Sequence, residues 1–264
     1  MGLPLEAVSP LNLERYELKY RIPLSLVPVI AEYVSHYCEQ DYHSRISADG
    51  FYTINSLYFD TAQLSLFKCN GKGELGYSCF RIRSYGDSPK PPFYLESKQK
   101  FREFCKKRRA KVPSENLREL FINPTGIPGY DPYADKNAVD FLEKCETFRL
   151  EPVVLTQYRR MAVLSVHDNY ARVTFDRDLR LMEEHDYNVI PREELMTHYD
   201  HADTFADPNT GRNVILELKC ERKIPLWMVE LIQRFQLVHH RFSKYQTSVM
   251  DLYKQQPEIG AYLN

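Results

Sequence analysis

The stretch "LERYELKYRI", residues 13–22, decides how the rest of the chain is read. In a strand, side chains alternate between faces, so every second residue shares a side. Arg15, Glu17 and Lys19 then lie on one face, with Tyr16, Leu18 and Tyr20 on the other. The aromatic and aliphatic face belongs to a core. The charged face meets either water or a polar interior, and function turns on which of the two it is.

The same alternation recurs along the chain. In "FRIRSY", Arg81 and Arg83 oppose Phe80 and Ile82; in "YLESKQK", Glu96, Lys98 and Lys100 share a face. Arg160 sits with Tyr158 and opposite Arg159. Arg172, Thr174 and Asp176 oppose Val173 and Phe175, and Glu217, Lys219 and Glu221 oppose Leu216 and Leu218. A single strand of this kind describes an antiparallel sheet with one solvated face. Repeated in strand after strand, on a chain whose formal net charge is −1, it describes a focused positive site with an acidic surface elsewhere. A closed or nearly closed sheet turns these faces inward. Many like charges in one lumen are unfavourable without an anion. The fitting guest is a polyanion such as a phosphate chain, which Arg forks and Lys point charges bind well. Glutamates among the cations suit a hard divalent cation bridging phosphate oxygens.

Bulk properties bound the reading. The chain has 264 residues, 43% hydrophobic and 27% charged, enough for a sizeable core, and one domain over 1–264 is expected. Near-neutrality argues against a polycation built for nucleic acid. The six cysteines form no Cys-x-x-Cys pair and fit a reducing cytoplasm better than a disulfide framework. The N-terminal residues lack the regions of a signal peptide, Glu6 stands where a myristoylation motif needs Ser or Thr, and no apolar run approaches ~18 residues. No membrane segment is expected. Strands are expected at 13–22, 50–60, 77–86, 92–100, 103–112, 151–165, 169–181 and 211–221. Helices are expected at 23–40, at 61–71 ending on Gly71, at 114–123 with Ser114 as N-cap, and at 131–148, 225–237 and 243–255. The polar region 182–210 reads as a loop or weak edge strand. The fold class is α+β, β-rich, with helices outside.

Weaker signals have bland readings. "GKGELG" (71–76) lies between a helix and a strand, the reverse of a dinucleotide fingerprint, and is a connecting loop. "CKKRRAKV" (105–112) has Lys107, Arg109 and Lys111 on one face and Lys106 and Arg108 on the other; it is either a basic patch or the lip of the basic interior. "HYDHAD" (198–203) reads as a surface loop. His239 and His240 are expected at a helix end, where cations suit the dipole.

"RYELKY", "SLYFDT", "FRIRSYG", "LESKQK", "YRRMA", "RVTFD", "LELK" and "FSKY" follow one another between residues 15 and 245. In this order they resemble the VTC domain, the polyphosphate polymerase domain of the vacuolar transporter chaperone family. The VTC domain belongs to the triphosphate tunnel metalloenzymes and also occurs in stand-alone bacterial proteins. The resemblance implies an antiparallel eight-stranded β-tunnel with helices packed outside. It implies phosphate binding by Lys19, Arg81, Arg83, Lys98, Arg160, Arg172, Lys219 and Lys244, with Lys19, Arg83 and Lys98 as the catalytic set. It implies Mn²⁺ or Mg²⁺ on Glu217, with Glu17 and Glu96 as further metal candidates. The substrates implied are ATP, triphosphate or polyphosphate. The implied reaction is polyphosphate synthesis from ATP; the alternatives are a tri- or polyphosphatase with the same site, and a non-catalytic polyphosphate or nucleotide sensor. The CYTH-type members of the superfamily begin with Glu-x-Glu-x-Lys. Here Arg15 replaces the first Glu, which sets the chain closer to the VTC branch.

Overall fold

The computed structural model describes residues 15–72, 76–101, 104–168, 170–199, 213–221 and 223–254. In chain order the first half runs β1 (Arg15–Pro23), α1 (Leu26–Ser35), β2 (Cys38–Gln40), α2 (Tyr42–Ile46), β3 (Tyr52–Asp60), α3 (Ser65–Lys72), β4 (Tyr77–Tyr85), β5 (Phe93–Phe101) and β6 (Phe104–Val112). The second half runs α4 (Leu117–Ile122), α5 (Lys136–Phe148), β7 (Glu151–Ser165), β8 (Arg172–Glu183), β9 (Thr197–His198), β10 (Asn213–Glu221), α6 (Leu226–Arg234) and α7 (Lys244–Lys254). All strands join one antiparallel sheet. Eight of them lie in the order β1-β10-β8-β7-β3-β4-β5-β6, with β2 added to β7 and β9 to β8.

Two apolar cores cover the outside of this sheet. Ile22, Phe175, Leu216 and Leu218 pack against Ile30 and Val34 of α1 and Trp227, Met228 and Leu231 of α6. Leu57, Phe80, Ile82, Leu95 and Val112 pack against Leu120 of α4 and Phe141 of α5. The alternating charged residues are left on the inner face. The sheet curls until β5 approaches β1 across the interior: Lys98 of β5 reaches Glu17 of β1 at 3.4 Å. The architecture is α+β, a strongly curled antiparallel sheet clad in helices.

Several boundaries differ from the sequence reading. The apolar period over 23–40 predicts one helix, but α1 stops at Ser35 because Cys38–Gln40 pair with Val163–Ser165. Sheet pairing there overrides helical periodicity. α3 continues through Gly71 to Lys72. The N-cap of α4 is Asn116, whose side chain accepts from the Glu119 N–H at 3.2 Å, while Ser114 Oγ accepts from the Asn116 N–H one step earlier. His239 and His240 lie beyond α6 and run along β1, where His240 N–H donates to Lys19 O at 2.8 Å. "GKGELG" does connect α3 to β4, although 73–75 lie outside the described residues, as do 200–203 of "HYDHAD". No helix among the described residues is long and apolar enough to cross a membrane.

Candidate functional site

The inner face encloses a cavity of about 350 Å³. Three groups of cations line it, each arranged around buried carboxylate.

The first group is an arginine cluster on β4, β5 and β6. Register places Tyr58, Arg81, Glu96 and Arg109 side by side across four strands. Arg81 meets Glu96 through Nε and Nη2, both at 2.8 Å, and its Nη1 donates to Tyr58 Oη at 3.2 Å. Arg83 Nε lies 3.4 Å and Arg109 Nε 3.5 Å from the same carboxylate. Burial pushes the Glu96 pKa up, but Arg81, Arg83 and Arg109 outweigh it and bring it down to about 2. Arg83 Nε is buried and, at 3.4 Å from Glu96, makes no hydrogen bond.

The second group surrounds Asp176 on β8. Arg160 of β7, directly opposite in register, grips it with Nε at 2.6 Å and Nη2 at 2.7 Å. Lys244, the first residue of α7, donates to Asp176 Oδ2, the oxygen that Arg160 Nη2 also reaches. Burial raises the Asp176 pKa, and the two cations overcome this and hold it well below the usual carboxylate range. Both cations lie near the Tyr158 ring, Lys244 Nζ at 4.4 Å and Arg160 Cζ at 5.4 Å from its centroid.

The third group is a lysine cluster on β1, β5 and β10. Glu17 opposes Lys219 and Lys19 opposes Glu217, a checkerboard of charge on two neighbouring strands. Lys19 and Lys98 each lie 3.4 Å from Glu17, and Lys219 lies 3.4 Å from Glu217. Burial raises the Glu17 pKa, and the ammoniums of Lys219, Lys19 and Lys98 help to carry it well below its ordinary value. Lys19 is further fixed by donating to Phe242 O at 2.9 Å.

Of the residues singled out from sequence, Lys19, Arg81, Arg83, Lys98, Arg160, Lys219, Lys244, Glu17, Glu96 and Glu217 therefore line one cavity. Arg172 does not. It has the inner parity, but its Nη2 turns to Asp41 at 3.4 Å, beside the Tyr52 hydroxyl, which donates to the same carboxylate. Lys107 and Arg109 of β6 line the cavity, which makes "CKKRRAKV" a lip of the basic interior. Arg108, of opposite parity, also borders it but pairs with Asp140 on α5. The sequence reading gave no role to Tyr58, Tyr77, Tyr158 or Ser243, which also line the cavity. Tyr158 carried a signal, since it shares parity with Arg160.

The donor set can be tested for a divalent cation. Among the described residues no three His, Cys, Asp or Glu form a preassembled metal cluster. Glu96 has its carboxylate engaged by three arginines. Glu217 is 4% exposed and its Oε1 has no hydrogen-bond partner, while Glu17 lies beside it. Two hard carboxylates, one with a buried oxygen that makes no hydrogen bond and stands 3.4 Å from Lys219, fit an Mg²⁺ or Mn²⁺ that takes its remaining ligands from phosphate and water.

Vacuolar transporter chaperone complex subunit 4 of Trypanosoma cruzi is 24% identical over 298 residues, and that of Trypanosoma brucei brucei 24% over 301. Each match takes in 98% of this chain, which spans 36% and 37% of the length of these relatives. Among solved structures, a Bacillus halodurans protein described as a candidate adenylate cyclase aligns at 12% identity and a TM-score of 0.45, covering 88% of this chain and 96% of its own. The PH1819 protein of Pyrococcus horikoshii aligns at 9% and 0.42, covering 89% and 99%. The model of the VTC domain matches residues 14–253, and the chain belongs to the VTC domain family.

Proposed function

We propose that the cavity binds the phosphates of ATP and of a polyphosphate chain and transfers the γ-phosphoryl group from one to the other. One observation carries this reading. Lys19, Arg81, Arg83, Lys98, Arg160, Lys219 and Lys244 converge on about 350 Å³ in a chain of net charge −1, seven cations against the carboxylates of Glu17, Glu96, Asp176 and Glu217, and a polyanion complements the surplus. Membership in the VTC domain family and the vacuolar transporter chaperone relatives support it.

In the proposed reaction an oxygen of the chain's terminal phosphate attacks the γ-phosphorus of ATP. The bridging β–γ P–O bond breaks, its electron pair leaves on ADP, and the chain gains one unit. The nucleophile is already an anion, so positioning and charge neutralisation are the work required. Arg81 and Arg83 would hold the phosphates against the fixed arginine wall. Lys19 and Lys98 would turn from Glu17 to the transferring group. Glu217 and Glu17 would hold a divalent cation, which supplies further neutralisation of phosphate oxygens when bound. Five free thiols among the described residues favour the cytoplasm as the compartment.

The test is one reaction of the purified protein with ATP and Mn²⁺, reading long-chain polyphosphate, ADP and free phosphate together. Chains with matching ADP are the expected result. Free phosphate without chains would replace synthesis by hydrolysis in the same site, and neither product would leave a binding module.

A further inference from the structure

Among the described residues, Lys244 is the one cation of the cavity that stands on a helix. The others are placed by strand register, which holds each backbone against its neighbours in the sheet. Lys244 opens α7, and the N–H of a first helical residue has no intrahelical partner. Its ammonium rides on a flexible four-carbon stem. Its place on Asp176 therefore depends on how the first turn of α7 is held.

One tie runs along β1. His240 N–H donates to Lys19 O at 2.8 Å, and Phe242 O accepts the Lys19 ammonium at 2.9 Å. The second tie comes from Tyr245, next to Lys244 in the chain. Tyr245 is 2% exposed, and its hydroxyl donates to Asp60 Oδ2. Asp60 ends β3 and is fully buried. Its Oδ1 accepts from the N–H groups of Thr61 at 2.7 Å and Leu66 at 2.8 Å, and its Oδ2 from that of Phe67 at 2.8 Å. Leu66 and Phe67 lie in the first turn of α3, where N–H groups lack intrahelical acceptors. α3 is in turn pinned to β4, since the Asn70 side chain exchanges two hydrogen bonds of 2.9 Å with the backbone of Ser78.

Three backbone donors thus fix the Asp60 carboxylate, and Tyr245 brings it a fourth donor from α7. Burial, and then Asp60 itself, push the Tyr245 pKa well above its ordinary value, so the hydroxyl keeps its proton and stays a donor. The Tyr245 ring packs 5.3 Å from that of Tyr58, whose hydroxyl accepts from Arg81. Packing of this kind is non-directional, and a phenylalanine ring would supply it. The hydroxyl adds direction, because a hydrogen bond weakens steeply away from its preferred angle.

We propose that Asp60 and Tyr245 are positioning residues for Lys244. Their bond sets the rotation of the first turn of α7, and with it the point from which the Lys244 ammonium reaches Asp176 and the phosphates. It references Lys244 to the β3–α3–β4 unit that carries Arg81 and Arg83, so one group of cations is placed relative to another. Neither Asp60 nor Tyr245 borders the cavity. This rests on the phosphate reading given above.

The experiment is a double-mutant cycle on the intact protein, read by calorimetric affinity for tripolyphosphate and by urea midpoint. Tyr245→Phe keeps the ring and removes the hydroxyl. It should weaken tripolyphosphate binding about 5-fold, within the range of couplings inside one network. In the Lys244→Ala background the same substitution should cost no further affinity, because the ammonium it places is gone. The midpoint should fall equally in both backgrounds, since the buried bond is lost either way. Asp60→Asn tests the other end of the bond and should show the same dependence on Lys244. A loss of affinity that persists without Lys244 would overturn the proposal and route Tyr245 through Tyr58 and Arg81 instead. A lowered midpoint with unchanged affinity in Tyr245→Phe would overturn it too, since a purely structural bond behaves that way. In both cases the wild-type protein still binds tripolyphosphate; its failure to do so would overturn the phosphate reading and this proposal with it.

Discussion

The two walls of the cavity carry three cations each and are differently built. On β4 to β6, three guanidiniums converge on one carboxylate, and Arg81 meets Glu96 twice at 2.8 Å. On β1, β5 and β10, three ammoniums share two carboxylates, and the contacts all stand at 3.4 Å. Glu217 keeps one oxygen without a hydrogen bond. Planar guanidinium forks lock their geometry, whereas an ammonium on a flexible stem changes partner at little cost. Arg81 is therefore organised before any ligand arrives, with Arg83 and Arg109 gathered at 3.4 and 3.5 Å around the carboxylate it holds. The lysine wall is the side that can rearrange, and the side with carboxylate to spare.

The contrast breaks hardest at Glu96. Glu96→Gln leaves three guanidiniums around a neutral amide. Removing one member of a buried ion cluster costs 3–5 kcal/mol. The 16% exposure of the Glu96 side chain and the wetter Arg109 put the expected loss near the lower limit, about 3 kcal/mol. It should appear as a lower urea midpoint at unchanged slope, and tripolyphosphate should restore much of it by replacing the lost anion. A midpoint that stays put would mean that each guanidinium is solvated on its own.

On the lysine wall, Glu217→Gln should spare the fold and remove metal-dependent turnover by at least about 100-fold, equivalent to about 2.7 kcal/mol. Calorimetric affinity for tripolyphosphate should stay within a few-fold; undiminished turnover would exclude Glu217 as the metal ligand. The two walls also predict an order among cations. Arg83→Ala removes a fixed donor and should weaken tripolyphosphate binding about 30-fold, in line with about 2 kcal/mol for a charged hydrogen bond. Lys219→Ala removes a mobile one whose neighbours can re-aim, and about 10-fold is expected. The reverse order would contradict the assignment of a fixed and an adaptable wall.

Much of this design is legible in the sequence because the strand period is two. Parity alone puts Lys19, Arg83, Lys98, Arg160 and Lys219 on one face of the sheet. Parity does not say how far a side chain reaches, so Arg172 has the right face and turns to Asp41. It does not say which acid holds which cation either. Asp176 shows its face in "RVTFD", but its grip on Arg160 and Lys244 depends on β7 and α7 lying on either side of it. Depth along the barrel is equally hidden. Ile215 and Glu217 sit two residues apart with the same parity, yet Ile215 joins an apolar cluster with Tyr158 and Phe242 while Glu217 lines the cavity. The short β2 is lost for a related reason, since its partner lies in β7 and its own residues continue the pattern of α1.

The smallest expected effect is the acid response of the arginine wall. The folded pKa of Glu96 is about 2 against an ordinary value of 4.5. A carboxyl whose folded pKa lies below its unfolded one binds fewer protons in the folded state. Its contribution to stability is complete above 4.5 and is lost as the pH falls towards 2. Wild-type stability should therefore decline through that window. Glu96→Gln starts from a lower midpoint but should lose less on acidification, because one of the groups driving the decline is gone. Asp176 and Glu17, also depressed, keep their share of the response in the variant, so the slope should shrink and not vanish. Urea midpoints at about pH 5 and about pH 3 for both proteins measure the difference. Equal declines would show Glu96 titrating as a solvated carboxylate, and the arginine wall would then be no more fixed than the lysine wall opposite it.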